Sequence, residues 1–198
     1  MPRKFTEDER EQVRARILEA GKELFARYGA GKTTMDEVAR AAGIGKGTVY
    51  LFFPSKEDLL FELIRREYGV RDALLERLEQ EDALTAATFR AELEKTLHDL
   101  TDSSLLTALF RNEGQIVSRL LSEEKMAEHD RDEAQFIDAL VAILQKKGFK
   151  PKSGPEVLLG LFHVIWLSRI YRGSMLCESY AQIEGMLLDL LCGELTGK

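Results

Sequence analysis

The residues best equipped for chemistry lie in "AAGIGKGTVYLFFPSK", positions 41–56. Glycines, a lysine and a threonine packed into "GIGKGT" (43–48) are the residue types of a loop that cradles phosphate with backbone amides. A nucleotide-binding P-loop needs G-x-x-x-x-G-K-[ST] after a strand. Here Arg40 stands where the first glycine would be, and Lys46 is followed by Gly47 rather than Ser or Thr. The segment before it reads as a capped helix. The spacing therefore excludes a nucleotide cradle and leaves the phosphate of a nucleic-acid backbone.

The elements that must position these residues read as helices. Val13, Ile17, Leu24, Phe25 and Tyr28 recur at helical spacing behind "TEDE", where Thr6 and Glu9 form a capping box, and Gly29 ends the run. Thr34 and Glu37 repeat the box before a short second helix that ends at Gly43. A third short helix runs from about Gly45 to before Pro54. Ser55 then caps a long fourth helix, with Asp58 in its first turn. Further helices are expected at about 85–101, 103–121, 125–147, 155–172 and 179–195. Strand and hairpin signals are almost absent. The expected fold is all-α, with about nine helices. A three-helix head over 1–55 precedes a helical body over 56–198.

Two short helices joined at Gly43-Ile44-Gly45 form a helix-turn-helix, whose second helix enters the major groove. Each residue then has a task. Gly45 and Gly47 let the backbone come close to the duplex, and Lys46 supplies charge. Thr48 meets a base edge or a thymine methyl. Tyr50 and Lys56 hold phosphates on either flank, and the hydroxyls and free amides of Thr33-Thr34 take another.

"TTMDEVARAAGIGKGTVYLFFPSKEDLLFEL" resembles the DNA-binding head of the TetR (tetracycline repressor-like) transcriptional regulators over about residues 10–70. The Thr-Thr start, "VARAAGI", "GKGTVY", Phe52-Phe53 and "SKEDLL" carry the resemblance. It implies an all-helical homodimeric repressor that binds a palindromic operator. A small effector in the body would change the separation of the two heads and release the DNA. Phe52 stands where the family often has His or Tyr, and is expected to pack. Gly45 stands where Ser is common.

The remaining 143 residues frame that head. The 198-residue chain has formal net charge −6, yet residues 1–56 hold 11 Lys/Arg against 8 Asp/Glu, a basic head on an acidic body. Two cysteines, Cys177 and Cys192, are too few for a disulfide framework. There is no apolar run near the N-terminus and none of the roughly 18 residues that span a membrane, so a cytoplasmic protein is expected. Glu113 interrupts an apolar helix face, so it either pairs with Arg169 or lines a cavity bordered by Phe110, Phe136 and Trp166, suited to a largely apolar effector. Residues 155–172 are apolar nearly all round, which calls for burial on two sides. Leu161, Ile165, Ile183, Leu187 and Leu190 are therefore expected at a two-fold four-helix interface. Glu94/His98 and His129/Glu133 are i,i+4 pairs that read as solvated helix faces. No metal, cofactor or catalytic group is expected, nor an enzyme.

Overall fold

In the computed structural model of the chain, residues 5–111, 121–174 and 179–197 are described. Every regular element among the described residues is a helix. They fall into two compact units.

Unit 1 runs as far as Glu67 and includes the described residues of 104–125. It holds α1 (Glu7–Tyr28), α2 (Met35–Ala41), α3 (Lys46–Phe52), α4 (Lys56–Glu67) and α7, helical over residues 104–111. Its interior is built from Ile17 and Phe25 of α1, Val38 of α2, Val49 of α3 and Leu59 and Leu60 of α4, each completely buried. Local signals start and stop these helices. Thr6 and Glu9 close one capping box, Thr34 and Glu37 another. Ser55 Oγ accepts from the Asp58 N–H at 3.0 Å and donates to its carboxylate at 2.7 Å.

Unit 2 comprises Tyr68–Ser103 and the described residues from Met126 onward. It holds α5 (Gly69–Gln80), α6 (Ala86–Asp102), most of α8 (Glu123–Lys146), α9 (Pro155–Ile170), a 3-10 turn (Arg172–Ser174) and α10 (Tyr180–Thr196). α6 packs against α5, α9 and α10, and α9 against α10. Thr85 and Thr88 form a capping box of their own before α6.

The long fourth helix expected from the sequence is two helices. The ladder lapses at Tyr68, where the Arg71 N–H bonds Tyr68 O in an i→i−3 turn at 2.9 Å. Gly69 follows at once, and glycine is a weak helix former. Among the described residues no helix is long and apolar enough to cross a membrane.

Candidate nucleic-acid interface

The turn between α2 and α3 is built by one residue with left-handed backbone. Gly43 has φ +66°. Its N–H bonds Arg40 O at 3.1 Å and the Ile44 N–H bonds Ala39 O at 3.0 Å, closing α2 with a Schellman motif. This turn launches α3 with Val49 and Phe53 buried inward and Lys46, Gly47, Tyr50 and Leu51 exposed. Tyr50 is 41% exposed. Lys46 Nζ meets the Asp36 carboxylate at 3.0 Å, and that hydrogen bond holds its ammonium above the ordinary lysine value. Both side chains are well exposed, so the pair is weak and easily exchanged for another anion. Thr48 is half-buried beside Gly45.

Three of the proposed phosphate contacts are spent inside the protein. Thr33 is buried, and its hydroxyl donates to Gly29 O at 2.9 Å and Leu24 O at 3.3 Å. Lys56 donates to Ala30 O at 2.7 Å, Thr33 O at 3.1 Å and Gly31 O at 3.4 Å. An ammonium has three donors, and this one stitches the 30–33 loop to the start of α4. The Thr34 N–H and hydroxyl both donate to Glu37 Oε2 at 2.8 Å, so the chain's own carboxylate occupies that helix start. Phe52 packs, edge-on to Phe5 with ring centroids 6.0 Å apart and with the Arg10 guanidinium 5.2 Å over its ring. Gly45, Lys46, Gly47, Thr48 and Tyr50 share the exposed side of the helix-turn-helix or its margin. Two further residues join them. Arg16 of α1 brings Nη1 to 3.9 Å from where a Cβ on Gly43 would lie, and Leu51 projects from α3. Arg16 lies outside the motif, and Leu51 lies inside it with no polar group to single it out, so the three-dimensional register is what reveals them.

Residues 17–63, the helix-turn-helix and its flanks, match the family described as bacterial regulatory proteins, tetR family. That match takes in α2 and α3 with the parts of α1 and α4 that flank them. The chain is 24% identical over 176 residues to the uncharacterized HTH-type transcriptional regulator YuxN of Bacillus subtilis (strain 168), covering 88% of this chain and 59% of that one. It is 25% identical over 158 residues to the "Probable acrEF/envCD operon repressor" of Escherichia coli (strain K12), covering 78% and 64%. It thus spans about three fifths of the length of these two curated relatives. In fold it is similar to the transcriptional regulator FadR of Bacillus subtilis, solved in complex with stearoyl-CoA. The TM-score is 0.68 at 18% identity, covering 91% of this chain and 98% of that chain. Each of these relatives is described as a transcriptional regulator or an operon repressor.

The chain holds its remaining candidates in unit 2, apart from Phe110 on α7 and Glu113, which lies outside the described residues. Arg169, the partner in one of the two roles considered for Glu113, pairs with Glu184 of α10 at 2.5 Å. Among the described residues the buried carboxylate is Glu133, and its reading as a solvated face is corrected. It is 3% exposed and held between the Arg71 guanidinium and His163 Nε2, the latter at 2.6 Å. Burial alone would raise its pKa, but the His163 hydrogen bond and the Arg71 charge outweigh that and bring it down to about 2. Arg71 in turn lies 4.0 Å over the Tyr68 ring and 4.9 Å over the Phe136 ring. Trp166 meets Tyr68 edge-on at 6.4 Å. Phe136 and Trp166 are thus brought together around one ion pair, both buried. His129 stacks on Tyr68, and desolvation lowers its pKa. Glu94 and His98 are exposed, paired with Arg90 and Asp102.

α9 and α10 leave an apolar seam open. Val157, Val164 and Leu167 on α9, and Ile183, Met186 and Leu190 on α10, are all exposed. Leu161 and Leu187 border it, half-buried. Ile165 is fully buried within its own protomer and has no surface to offer a second copy. Cys192 is buried, and burial pushes its thiol up to about 11. Cys177 lies outside the described residues.

Proposed function

We propose that the protein is a homodimeric transcriptional repressor that binds a palindromic duplex operator through α3 and is released by a small, largely apolar effector. The observation that carries the DNA-binding part is the segregation of α3. Its buried side locks it to α1 and α2, while Lys46 and Tyr50 stand clear on the other, with no use in the core. Unit 1 would be the DNA reader and unit 2 the effector and dimer body.

The seam supports the homodimer. Val157, Val164 and Leu167 follow an i, i+7, i+10 spacing, and Ile183, Met186 and Leu190 an i, i+3, i+7 spacing. Such stripes suit helix-on-helix packing at the crossing angle of four-helix bundles. Gly160 falls in the same stripe, and a Cβ there would meet open space, so a second backbone could come near. A two-fold pair of α3 helices would suit half-sites about 34 Å apart.

The effector would sit in unit 2 against the Phe136 and Trp166 wall. The stearoyl-CoA held by the FadR structure is in keeping with a largely apolar occupant. Trp166 is the only tryptophan of the chain, so its fluorescence reads that wall alone.

The deciding experiment is genomic selection by the purified protein, followed by footprinting. The expected result is a short palindrome whose binding falls as salt rises, with a slope that loses about 0.9 in Lys46→Ala, while Tyr50→Ala lowers affinity and leaves the slope in place. A long-chain acyl-CoA is the first effector to add, with Trp166 emission and operator occupancy read together. Selection that returns no duplex, with or without that ligand, would overturn the reading.

A further inference from the structure

Leu51 is 69% exposed, more than any other large apolar side chain among the described residues. It does not lie on the α9–α10 seam. It stands on α3, on the face shared by Lys46, Gly47 and Tyr50 and opposite Val49 and Phe53. Leaving a leucine in water forgoes about 1.5–3 kcal/mol of burial, and nothing in unit 1 covers it. Its position on the helix is also specific. Leu51 is one turn beyond Gly47, and helical side chains lean toward the helix N-terminus. It therefore leans toward the bare surface at Gly47, where a built Cβ meets nothing within 4 Å, the Leu51 side chain included, so open space lies between the two. A wall of leucine beside an open backbone, flanked by an ammonium and a phenol, makes a small apolar notch on an otherwise polar face.

We propose that Leu51 is a specificity-determining residue that reads the C5-methyl group of a thymine. This rests on the DNA-binding reading above and names the base feature that face selects. A butyl side chain cannot engage a phosphate. In the major groove the one apolar feature of the base edges is the thymine methyl. Lys46 and Tyr50 beside it supply the contacts that hold register, and these carry no sequence information. The Gly47 surface admits the methyl against the leucine, so the preference arises from shape and desolvation rather than from a hydrogen bond.

The test starts with selection from a random-sequence duplex pool by full-length wild-type and Leu51→Ala proteins. Each thymine of the winning duplex is then replaced singly by uracil, which removes the methyl and keeps every hydrogen-bonding group. One uracil position is expected to weaken wild-type binding about fourfold, the factor that burying one methyl corresponds to. The same substitution should leave Leu51→Ala unchanged, and Leu51→Ala should select a motif relaxed at that base. The salt slope and melting temperature of the variant should match wild type. If wild type tolerates every uracil, or Leu51→Ala loses affinity for all duplexes alike with a lower melting temperature, the assignment falls while DNA binding stands. If wild type enriches no duplex, the DNA-binding reading falls and Leu51 with it.

Discussion

Lys56 shows how much of a side chain's role depends on what meets it. Its charge and place beside the helix-turn-helix read as a phosphate contact, yet its three donors close the 30–33 loop. Lys56→Met should therefore lower stability by about 2 kcal/mol, since carbonyls lose a charged donor. The salt slope of duplex binding should not change, whereas Lys46→Ala should lower it. Denaturant unfolding and filter binding at several salt concentrations separate the two. Glu133 was hidden for the same reason. Its sequence neighbours paint a charged helix face, and its partners Arg71 and His163 come from α5 and α9. Glu133→Gln leaves the Arg71 guanidinium buried without its anion and should cost about 3 kcal/mol. Because folding lowers the Glu133 pKa to about 2, the stabilisation it gives is complete above the ordinary carboxylate value of 4.5 and fades as pH falls toward 2. Urea midpoints of wild type should drop across that window, and those of Glu133→Gln should drop less. Parallel curves would show that other carboxylates govern the acid limb.

At the scale of elements, what was legible was local. Capping boxes at Thr6 and Thr34, the Ser55 cap and the glycine stops at Gly29 and Gly43 each involve residues within about one turn, so spacing alone reveals them. The break at Tyr68 was missed because Gly69 sits inside an unbroken apolar rhythm, which outweighs one weak helix former in any window. The turn at Gly43 is the element on which α3 most depends. An alanine there must hold φ near +66°, at a cost of about 1–2 kcal/mol. Gly43→Ala should thus melt several degrees lower and lose duplex affinity beyond what Lys46→Ala loses, since every exposed residue of α3 moves together. Unchanged melting would mean the turn relaxes without consequence.

For the molecule as a whole, the sequence indicated that α9 must be buried on two sides but not which side is which. A helix apolar nearly all round has no periodicity to orient it. Ile165 was placed outward on that account, and it is its neighbours Val164 and Leu167 that reach solvent. The seam they share with Met186 and Leu190 makes a direct prediction. Met186→Arg/Leu190→Arg puts two charges into the centre of a two-fold contact. Light scattering at micromolar concentration should report a monomer, and operator affinity should fall by about a hundredfold or more as the gain from paired half-sites disappears. A monomeric variant that still binds a full operator tightly would overturn the homodimer. The effector set is the least legible part. It was drawn from apolar residues, and apolar residues at helical spacing are core wherever no cavity separates them; Phe136 and Trp166 are buried about an ion pair that no periodicity announces.

The division of α3 into a locked side and a bare side has a further consequence, for descent rather than for binding. Val49 and Phe53 anchor the helix, while Lys46, Gly47, Tyr50 and Leu51 hold nothing of the fold in place beyond one weak surface pair. Mutations at these four positions are therefore close to neutral for stability. A lineage could exchange them one at a time, acquiring a new target sequence on an unaltered scaffold. Related regulators that share "GKGTVY" should then diverge at position 51 while keeping the apolar anchors at 49 and 53.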